Sequence, residues 1–214
     1  MNKKPKLIIV GNTNLAELTT YYLQEDYDII AYAVDKAYIK SATYLNKPLV
    51  DFKSVEKLYS PSEYVMFVAA GYYKRNTIRE HLYSRAKEKG YKLITYIHNS
   101  CIIDKNVEIG ENCFFFERSI IQPFVKIGNA CIIWSNSTIC HSSILKDYIF
   151  IGSNVCINGF VKINNNVFIG ANATIRNNID IGQNTLVGAG CTIQESTNSG
   201  SVYKSNDAIN LINK

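Results

Sequence analysis

Large apolar residues recur at every sixth position over nearly half of the chain, without a break. They are Ile97, Ile103, Ile109, Phe115, Ile121, Ile127, Ile133, Ile139, Leu145, Ile151, Ile157, Ile163, Ile169, Ile175, Ile181, Val187 and Ile193. An α-helix spaces apolar residues three and four apart, and a half-buried strand spaces them two apart, so a period of six fits neither. Fixed-period self-similarity indicates a solenoid, and six-residue repeats are typical of a β-helix.

The other positions of the repeat agree with this interpretation. Small or β-branched residues stand four positions after the aliphatic, and four of the six cysteines (Cys101, Cys113, Cys131, Cys191) share that phase as small apolar core residues. Glycine or asparagine often follows the aliphatic directly, and both tolerate the left-handed backbone conformation that sharp corners require. Three hexads therefore make one triangular coil of 18 residues, which predicts a left-handed parallel β-helix over residues 96–193.

Residues 1–95 have a different pattern, in which apolar strands alternate with helices. KLIIV includes a buried strand over Leu7–Val10, IIAYAVD is a second strand that ends in Asp35, and EYVMFVAAG is a third that ends in Gly71. Helices are expected after the first and third strands, the latter containing Arg75, Arg79 and His81. Such alternation predicts a small parallel sheet, so the chain is expected to have an α/β domain (1–95), the β-helix (96–193) and a tail (194–214).

Ligands of parallel sheets bind beyond the carboxyl ends of the strands, which here are the turn Gly11-Asn12-Thr13-Asn14 and Asp35. The turn lacks the glycines of the G-x-G-x-x-G fingerprint, so dinucleotide binding is not supported. Two structural alternatives stay open. Gly11 could serve only a tight turn, and Asp35 could cap a helix.

Composition excludes several classes of protein. No apolar run approaches the roughly 20 residues of a membrane span, and the short N-terminal apolar stretch is unlike a signal peptide. There is no CxxC pair, so no metal site is expected, and free cysteines fit a cytoplasmic location. The net charge is +5, but lysine and arginine are dispersed, which argues against nucleic-acid binding.

Taken together, the two halves resemble the sugar O/N-acyltransferases, in which a Rossmann-like domain precedes a left-handed β-helix. The family includes sialic acid O-acetyltransferases and acetyltransferases of nucleotide-linked 4-amino-4,6-dideoxy sugars. The resemblance rests on LIIVGNTNLAE, Asp35, Arg75, the junction LITYIHNSCIID and the hexads. It implies acetyl-CoA as the acyl donor, a homotrimer with active sites between subunits, and a role in surface glycan assembly.

The resemblance also implies roles for particular residues. The general base of the family maps to His141, and the nucleotide would be held by Gly11–Asn14 and Asp35. One coil beyond His141 lies Gly159, whose N–H could stabilise the oxyanion of a tetrahedral intermediate. Further contacts proposed for the sugar are Ser142, Asn158 and Trp134, and those for coenzyme A are Gly159, Asn177 and Gly188. The ring of Trp134 could stack on a sugar or base, or it could simply cover a face of the prism.

Several positions depart from the family pattern. Ser142 replaces the acidic residue that usually follows the histidine, Trp134 stands where nucleotide-sugar members often have asparagine, and Lys204–Ala208 replaces the closing G-x-P-A-[KR] segment. Without an orienting carboxylate, an amine is a better nucleophile for this site than a hydroxyl, which favours N-acetylation. Two alternatives remain: O-acetylation of a sugar such as sialic acid, and an inactive trimeric scaffold.

Overall fold

The computed structural model describes residues 3–205 and begins with an α/β domain. Its sheet contains β1 (Lys6–Val10), β2 (Asp28–Val34), β3 (Thr43–Tyr44), β4 (Lys47–Asp51) and β5 (Tyr64–Val68) in the order β3-β4-β2-β1-β5. All neighbours are parallel except the hairpin β3–β4, which the sequence analysis did not predict. The helices are α1 (Asn14–Leu23) and α2 (Thr77–Glu88), with 3₁₀ helices at Lys36–Tyr38 and Phe52–Lys57. Arg75 was expected in the second helix but precedes it, because residues 74–76 have left-handed φ angles.

Eighteen two-residue strands, β6 to β23 along the chain, form the three faces of a triangular prism. The first face has β6 (Tyr96–Ile97), β9 (Phe114–Phe115), β12 (Ile132–Ile133), β15 (Phe150–Ile151), β18 (Phe168–Ile169), β21 (Leu186–Val187) and β23 (Val202–Tyr203). The second has β7 (Ile102–Ile103), β10 (Ile120–Ile121), β13 (Thr138–Ile139), β16 (Cys156–Ile157), β19 (Thr174–Ile175) and β22 (Thr192–Ile193). The third has β8 (Glu108–Ile109), β11 (Lys126–Ile127), β14 (Ile144–Leu145), β17 (Lys162–Ile163) and β20 (Asp180–Ile181).

Successive coils pair in parallel, as in Ile121↔Ile139 and Ile139↔Ile157, and the aliphatic residues of the repeat fill the prism. The predicted left-handed parallel β-helix is confirmed. The chain returns to the first face as β23 with fewer residues than a full coil, so Val202–Tyr203 extends the β-helix into the expected tail. Residues 206–208, where the closing segment of the family would lie, are outside the described residues.

The glycines of the repeat have a different function from the one expected. The left-handed residue of each corner is the third after the aliphatic, as at Asn154 (φ 57°) and Asn172 (φ 59°), and not the first. At Gly152 and Gly170, which stand at the first position, close stacking of the coils requires glycine. A Cβ on Gly152 would lie 2.6 Å from the backbone N of Ala171, and one on Gly170 would lie 2.5 Å from that of Ala189.

Small polar residues inside the prism connect one coil to the next. The hydroxyl of Ser137 donates to the carbonyl of Gly152 at 2.8 Å, and that of Ser143 donates to the carbonyl of Asn158 at 2.9 Å. Cys131 donates similarly through its thiol to Lys146 O at 3.2 Å. All six cysteines are free thiols, and three of those in the small-residue phase are buried in the core.

The α/β domain packs on the first face of the prism. Phe114, Ile132 and Phe150 face outward from that sheet and join one hydrophobic core with the α/β domain. Asn112 of the β-helix pairs with the edge strand β5 of the α/β sheet, because its side chain forms hydrogen bonds with both the N–H and the carbonyl of Val68. The domain thus covers the first face and leaves the opposite edge of the prism, between the second and third faces, uncovered by it. We call that edge, formed by residues 104–107, 122–125, 140–143, 158–161 and 176–179, the histidine edge.

Candidate active site

His141 lies at a corner of the histidine edge, with an exposed side chain. Ile139 points into the prism and Ser142 takes the left-handed turn (φ 60°), so the intervening segment projects outward. The backbone N–H of His141 donates to Oε1 of Gln122 in the preceding coil at 3.0 Å. This bond ties the corner of one coil to the next and so holds the backbone from which the imidazole projects.

A pocket of about 410 Å³ opens beside the imidazole. It is lined by Gln122, Cys140, His141, Asn158, Gly159, Phe160, Asn177 and Asn178. The 18-residue coil therefore brings together four residues that the sequence analysis proposed for the site: His141, Asn158, Gly159 and Asn177. The amide of Asn158 donates to the carbonyl of Ile175 at 2.8 Å, which leaves its Oδ1 to accept a hydrogen bond from a ligand.

The imidazole of His141 lies directly over Gly159. A Cβ on Gly159 would lie 2.8 Å from Cε1 and 2.9 Å from Nε2 of the ring, so glycine permits this approach. Within residues 3–205, no backbone carbonyl accepts a hydrogen bond from the Gly159 N–H. A hydrogen-bond donor and a base thus lie side by side at one open position, which is the arrangement that acyl transfer requires.

Ser142 does not orient the imidazole. Its backbone N–H donates to the carbonyl of Pro123 at 3.1 Å, and no side chain of the described residues forms a hydrogen bond with the ring of His141. The ring instead contacts Phe160 edge to face, with 5.1 Å between the ring centroids. Packing against an aromatic side chain therefore replaces the carboxylate hydrogen bond expected from the family.

The turn Gly11–Asn14 closes the carboxyl end of β1. Gly11 has φ 134°, and a Cβ there would lie 2.8 Å from the carbonyl O of Ala69, so both the backbone and the space require glycine. The side chain of Asn12 donates to the carbonyl of Tyr38 at 3.4 Å. Thr13 directly precedes α1, so the turn lies at the N-terminus of this helix. The side chain of Thr13 forms no cap hydrogen bond.

Asp35 forms an ion pair with Arg85, which the sequence did not indicate. Two guanidinium nitrogens donate to its two carboxylate oxygens, at 3.0 and 2.7 Å, and the guanidinium lies over the ring of Phe52 at 4.7 Å. The hydrogen bonds from Arg85 lower the pKa of Asp35. The carboxylate does not cap the following 3₁₀ helix, so a cap is the wrong alternative, and any ligand would meet an already paired carboxylate.

Two proposed contacts lie away from the pocket. Trp134 directly follows β12, at the edge between the first and second faces, where its ring stacks on Phe116 with 4.3 Å between the centroids and packs against the α/β domain. Gly188 follows β21, at the edge between the first and second faces. Neither is a neighbour of His141 in one chain, because the edge between the first and second faces is not the histidine edge.

Two segments of the β-helix, residues 106–141 and 160–195, match the family described as "Bacterial transferase hexapeptide (six repeats)". These segments are transferase hexapeptide repeats. No curated protein sequence matches the chain.

Several solved structures share the architecture over nearly the whole chain. A histidine-to-asparagine variant of perosamine N-acetyltransferase from Caulobacter crescentus, in complex with CoA and GDP-perosamine, is 23% identical with a TM-score of 0.81, and the match covers 92% of each chain. The acetyltransferase domain of PglB from Neisseria gonorrhoeae, in complex with acetyl coenzyme A, is 20% identical (TM-score 0.78; 93% and 95% covered). WeeI from Acinetobacter baumannii AYE is 20% identical (0.77; 93% and 96%). At these identities the likeness establishes the fold.

The hexapeptide repeat contains a signal for the residues that were missed. Residues that are 18 positions apart form a column along one edge of the prism. Gln122, Cys140 and Asn158 form the column on one side of His141, and Phe160 and Asn178 belong to the column on its other side. Only the column of His141 itself was extended by 18 residues in the sequence analysis. Extending both neighbouring columns would have found all four residues.

We expect Gly159→Ala to lower kcat about 10- to 100-fold, because a base displaced by a fraction of an ångström loses its alignment with the nucleophile. The added Cβ meets an exposed side chain that can rotate away, so the melting temperature should change little. Steady-state kinetics and thermal unfolding measure the two effects. Gly71→Ala is the matched control, since a Cβ there meets nothing within 4 Å. Unchanged kcat in Gly159→Ala would contradict the assigned geometry.

Residues 3–205 contain no group of three or more His, Cys, Asp or Glu side chains arranged to hold a metal ion. In the same range, neither helix is long and apolar enough to span a bilayer.

Proposed function

We propose that this chain is an acetyl-CoA-dependent N-acetyltransferase acting on a nucleotide-linked 4-amino-4,6-dideoxy sugar, with His141 as the general base. The observation that carries the proposal is the imidazole over Gly159, beside an N–H without a backbone acceptor. The fold shared with a perosamine N-acetyltransferase in complex with CoA and GDP-perosamine supports the substrate class. Surface glycan biosynthesis and a cytoplasmic location remain predictions.

The residues of the pocket have complementary roles in this reaction. The neutral amine of the sugar attacks the thioester carbonyl, forming a C–N bond, and the carbonyl oxygen becomes an oxyanion that the Gly159 N–H stabilises. His141 accepts the proton that the nitrogen loses. When the C–S bond breaks, the coenzyme A thiolate leaves and can take that proton, so that the imidazole is neutral again.

The surroundings of His141 favour an amine over a hydroxyl as the acceptor. Removal of an orienting carboxylate can cost orders of magnitude where a base must deprotonate a hydroxyl. The imidazole here has an aromatic neighbour, Phe160, and no hydrogen-bonding side chain among the described residues. A neutral amine is already nucleophilic and makes a smaller demand on the base.

We further propose that the complete site needs more than one copy of the chain. The α/β domain covers the first face, so its turn at Gly11–Asn14 and Asp35 are separated from the histidine edge by the width of the prism. Gly188 also lies on a different edge from His141. A homotrimer in which the histidine edge of one copy meets the α/β domain and the Gly188 edge of the next would unite nucleotide, amine and coenzyme A sites.

The first experiment is a thiol-release assay with acetyl-CoA and GDP-, UDP- and dTDP-linked 4-amino-4,6-dideoxy hexoses. We expect at least one amine to be acetylated with kcat on the order of 1 s⁻¹ or more. The matched controls are the same nucleotide sugars with a 4-hydroxyl and free sialic acid. Thiol release only with a hydroxyl substrate would replace the proposal by O-acetylation. No release with any acceptor, from a chain that is a trimer by light scattering, would support the scaffold.

A further inference from the structure

Two phenylalanines occupy corner positions that are unfavourable for them. Along the repeat, the left-handed position is most often asparagine, which tolerates this conformation. On the histidine edge the same column contains Phe124 (φ 65°) and Phe160 (φ 60°), one coil to either side of Ser142. A bulky side chain in this region is strained, and strain of this kind concentrates at functional sites.

Burial does not explain these two residues. Tyr148 is also bulky and left-handed, but its ring packs against Tyr83 of α2 and so helps to join the two domains. Phe124 and Phe160 remain 62% and 58% exposed. The strain of both residues is therefore not offset by core packing within the described chain.

Phe160, unlike Phe124, is part of the pocket. Its ring lines the cavity and contacts the imidazole of His141 edge to face at 5.1 Å between centroids. A group that reaches the imidazole through the cavity therefore enters beside this ring. Phe124 lies two coils away in the same column and does not line the cavity, which makes it a natural comparison.

The position of Phe160 relates to one carbon of the proposed acceptor. In a 4-amino hexose the amine on C4 and the C6 carbon on C5 are vicinal substituents, with N4 about 3 Å from C6. Since the amine must come within about 3 Å of Nε2, C6 lies within about 6 Å of the base. The ring centroids of Phe160 and His141 are 5.1 Å apart, so the Phe160 ring lies at a comparable distance from the base. A C6 methyl group can pack against the ring, whereas a C6 hydroxyl there would lose its hydrogen bonds to water.

We propose that Phe160 is a specificity-determining residue that contacts C6 of the acceptor sugar and selects a 6-deoxy over a 6-hydroxy sugar. This inference rests on the proposed function. An apolar wall discriminates modestly against an added hydroxyl, so we expect wild type to prefer the 6-deoxy substrate by about 10- to 100-fold in kcat/KM.

The test compares Phe160→Asn with Phe124→Asn, using nucleotide-linked 4-amino-4,6-dideoxy and 4-amino-4-deoxy hexoses of the same configuration. Both variants replace a left-handed phenylalanine by the residue most common at this phase, so both should fold at least as stably as wild type. We expect the 6-deoxy preference to fall at least fivefold in Phe160→Asn and to persist in Phe124→Asn. A general loss of stability would lower kcat/KM for both substrates alike and would leave the ratio of the two values unchanged.

Three results would overturn the inference. The first is an unchanged preference in Phe160→Asn. The second is a wild-type enzyme that acetylates both amines equally well, which would leave the proposed function intact. The third is dissociation of the assembly in both variants, measured by light scattering, with no change in preference, which would make the two rings contacts between copies. Failure of wild type to acetylate either amine is distinct, because it removes the proposed function itself.

Discussion

Replacing His141 by asparagine should lower kcat for amine acetylation by about 10²- to 10⁴-fold, the usual contribution of a positioned general base. Asparagine is polar and smaller than histidine, and the corner backbone is held by the His141 N–H bond to Gln122, which the substitution retains. The KM for acetyl-CoA should therefore remain within about threefold, because the substitution removes no interaction that binds acetyl-CoA equally in the ground state and the transition state. Thiol release at saturating acceptor, with the concentration of acetyl-CoA varied, measures both constants.

His98→Asn is the matched control for His141→Asn. His98 lies at the edge between the first and second faces, where its Nδ1 is within 2.8 Å of the Ser100 hydroxyl, and it does not line the pocket. We expect this variant to retain the kcat of wild type. If His141→Asn kept more than about a third of wild-type kcat, the base would have to be another group, and the position of the imidazole over Gly159 would have a different explanation.

The fold could be predicted because its cause is local and repeated. Each aliphatic from Ile97 to Ile193 fills the same place in a coil, so the period alone determines the strand, the corner and the pairing distance. The same 18-residue interval relates His141 to Gly159 in the sequence. The repeat pattern gave a wrong reason for glycine at positions 152 and 170. Glycine is needed there because the backbone of the next coil approaches closely, and this contact is not visible within a single hexad.

The contacts between domains could not be predicted in this way. Asp35 looked available at the end of β2, but its partner Arg85 is 50 residues away on α2. Trp134 directly follows β12 in the β-helix, and only the packing of the α/β domain turns that part of the surface into an interface. Tyr22 of α1 likewise donates to Glu117 in the β-helix, and burial, together with this bond, raises the pKa of the phenol to about 12.

Arg79 joins the two domains through a buried cation without a carboxylate partner. Its guanidinium donates to the carbonyls of Ala130 (2.8 Å), Ile149 (3.2 Å), Ala70 (3.2 Å) and Gly71 (2.9 Å), and it is completely buried. Two of these carbonyls belong to corners of the β-helix and two to the loop after β5. Burial lowers its pKa to about 10, so the side chain is still charged at neutral pH.

We expect Arg79→Met to lower the free energy of unfolding by about 3–5 kcal/mol. Removing the cation relieves its desolvation cost, but it leaves the carbonyls of Ala130, Ala70 and Gly71 without donors. The carbonyl of Ile149 keeps the N–H of Ile132 as a donor. An unsatisfied buried group costs about 1–3 kcal/mol. Methionine preserves much of the apolar volume, so the loss reports mainly on the hydrogen bonds. Urea unfolding gives the total change, and amide hydrogen exchange shows whether protection is lost at the junction first.

Arg75→Met is the comparison that separates burial from charge. Arg75 also bonds backbone carbonyls, those of Asn184 and Gly200, but at 3.2 and 3.5 Å and with an exposed side chain. Because water replaces such bonds, this variant should lose less than about 1 kcal/mol. Equal losses in the two variants would contradict the account, since the difference between them depends on burial. If Arg79→Met alone loosens the junction, its acetylation rate should fall even below its unfolding temperature, because the orientation of the α/β domain relative to the prism is then no longer held.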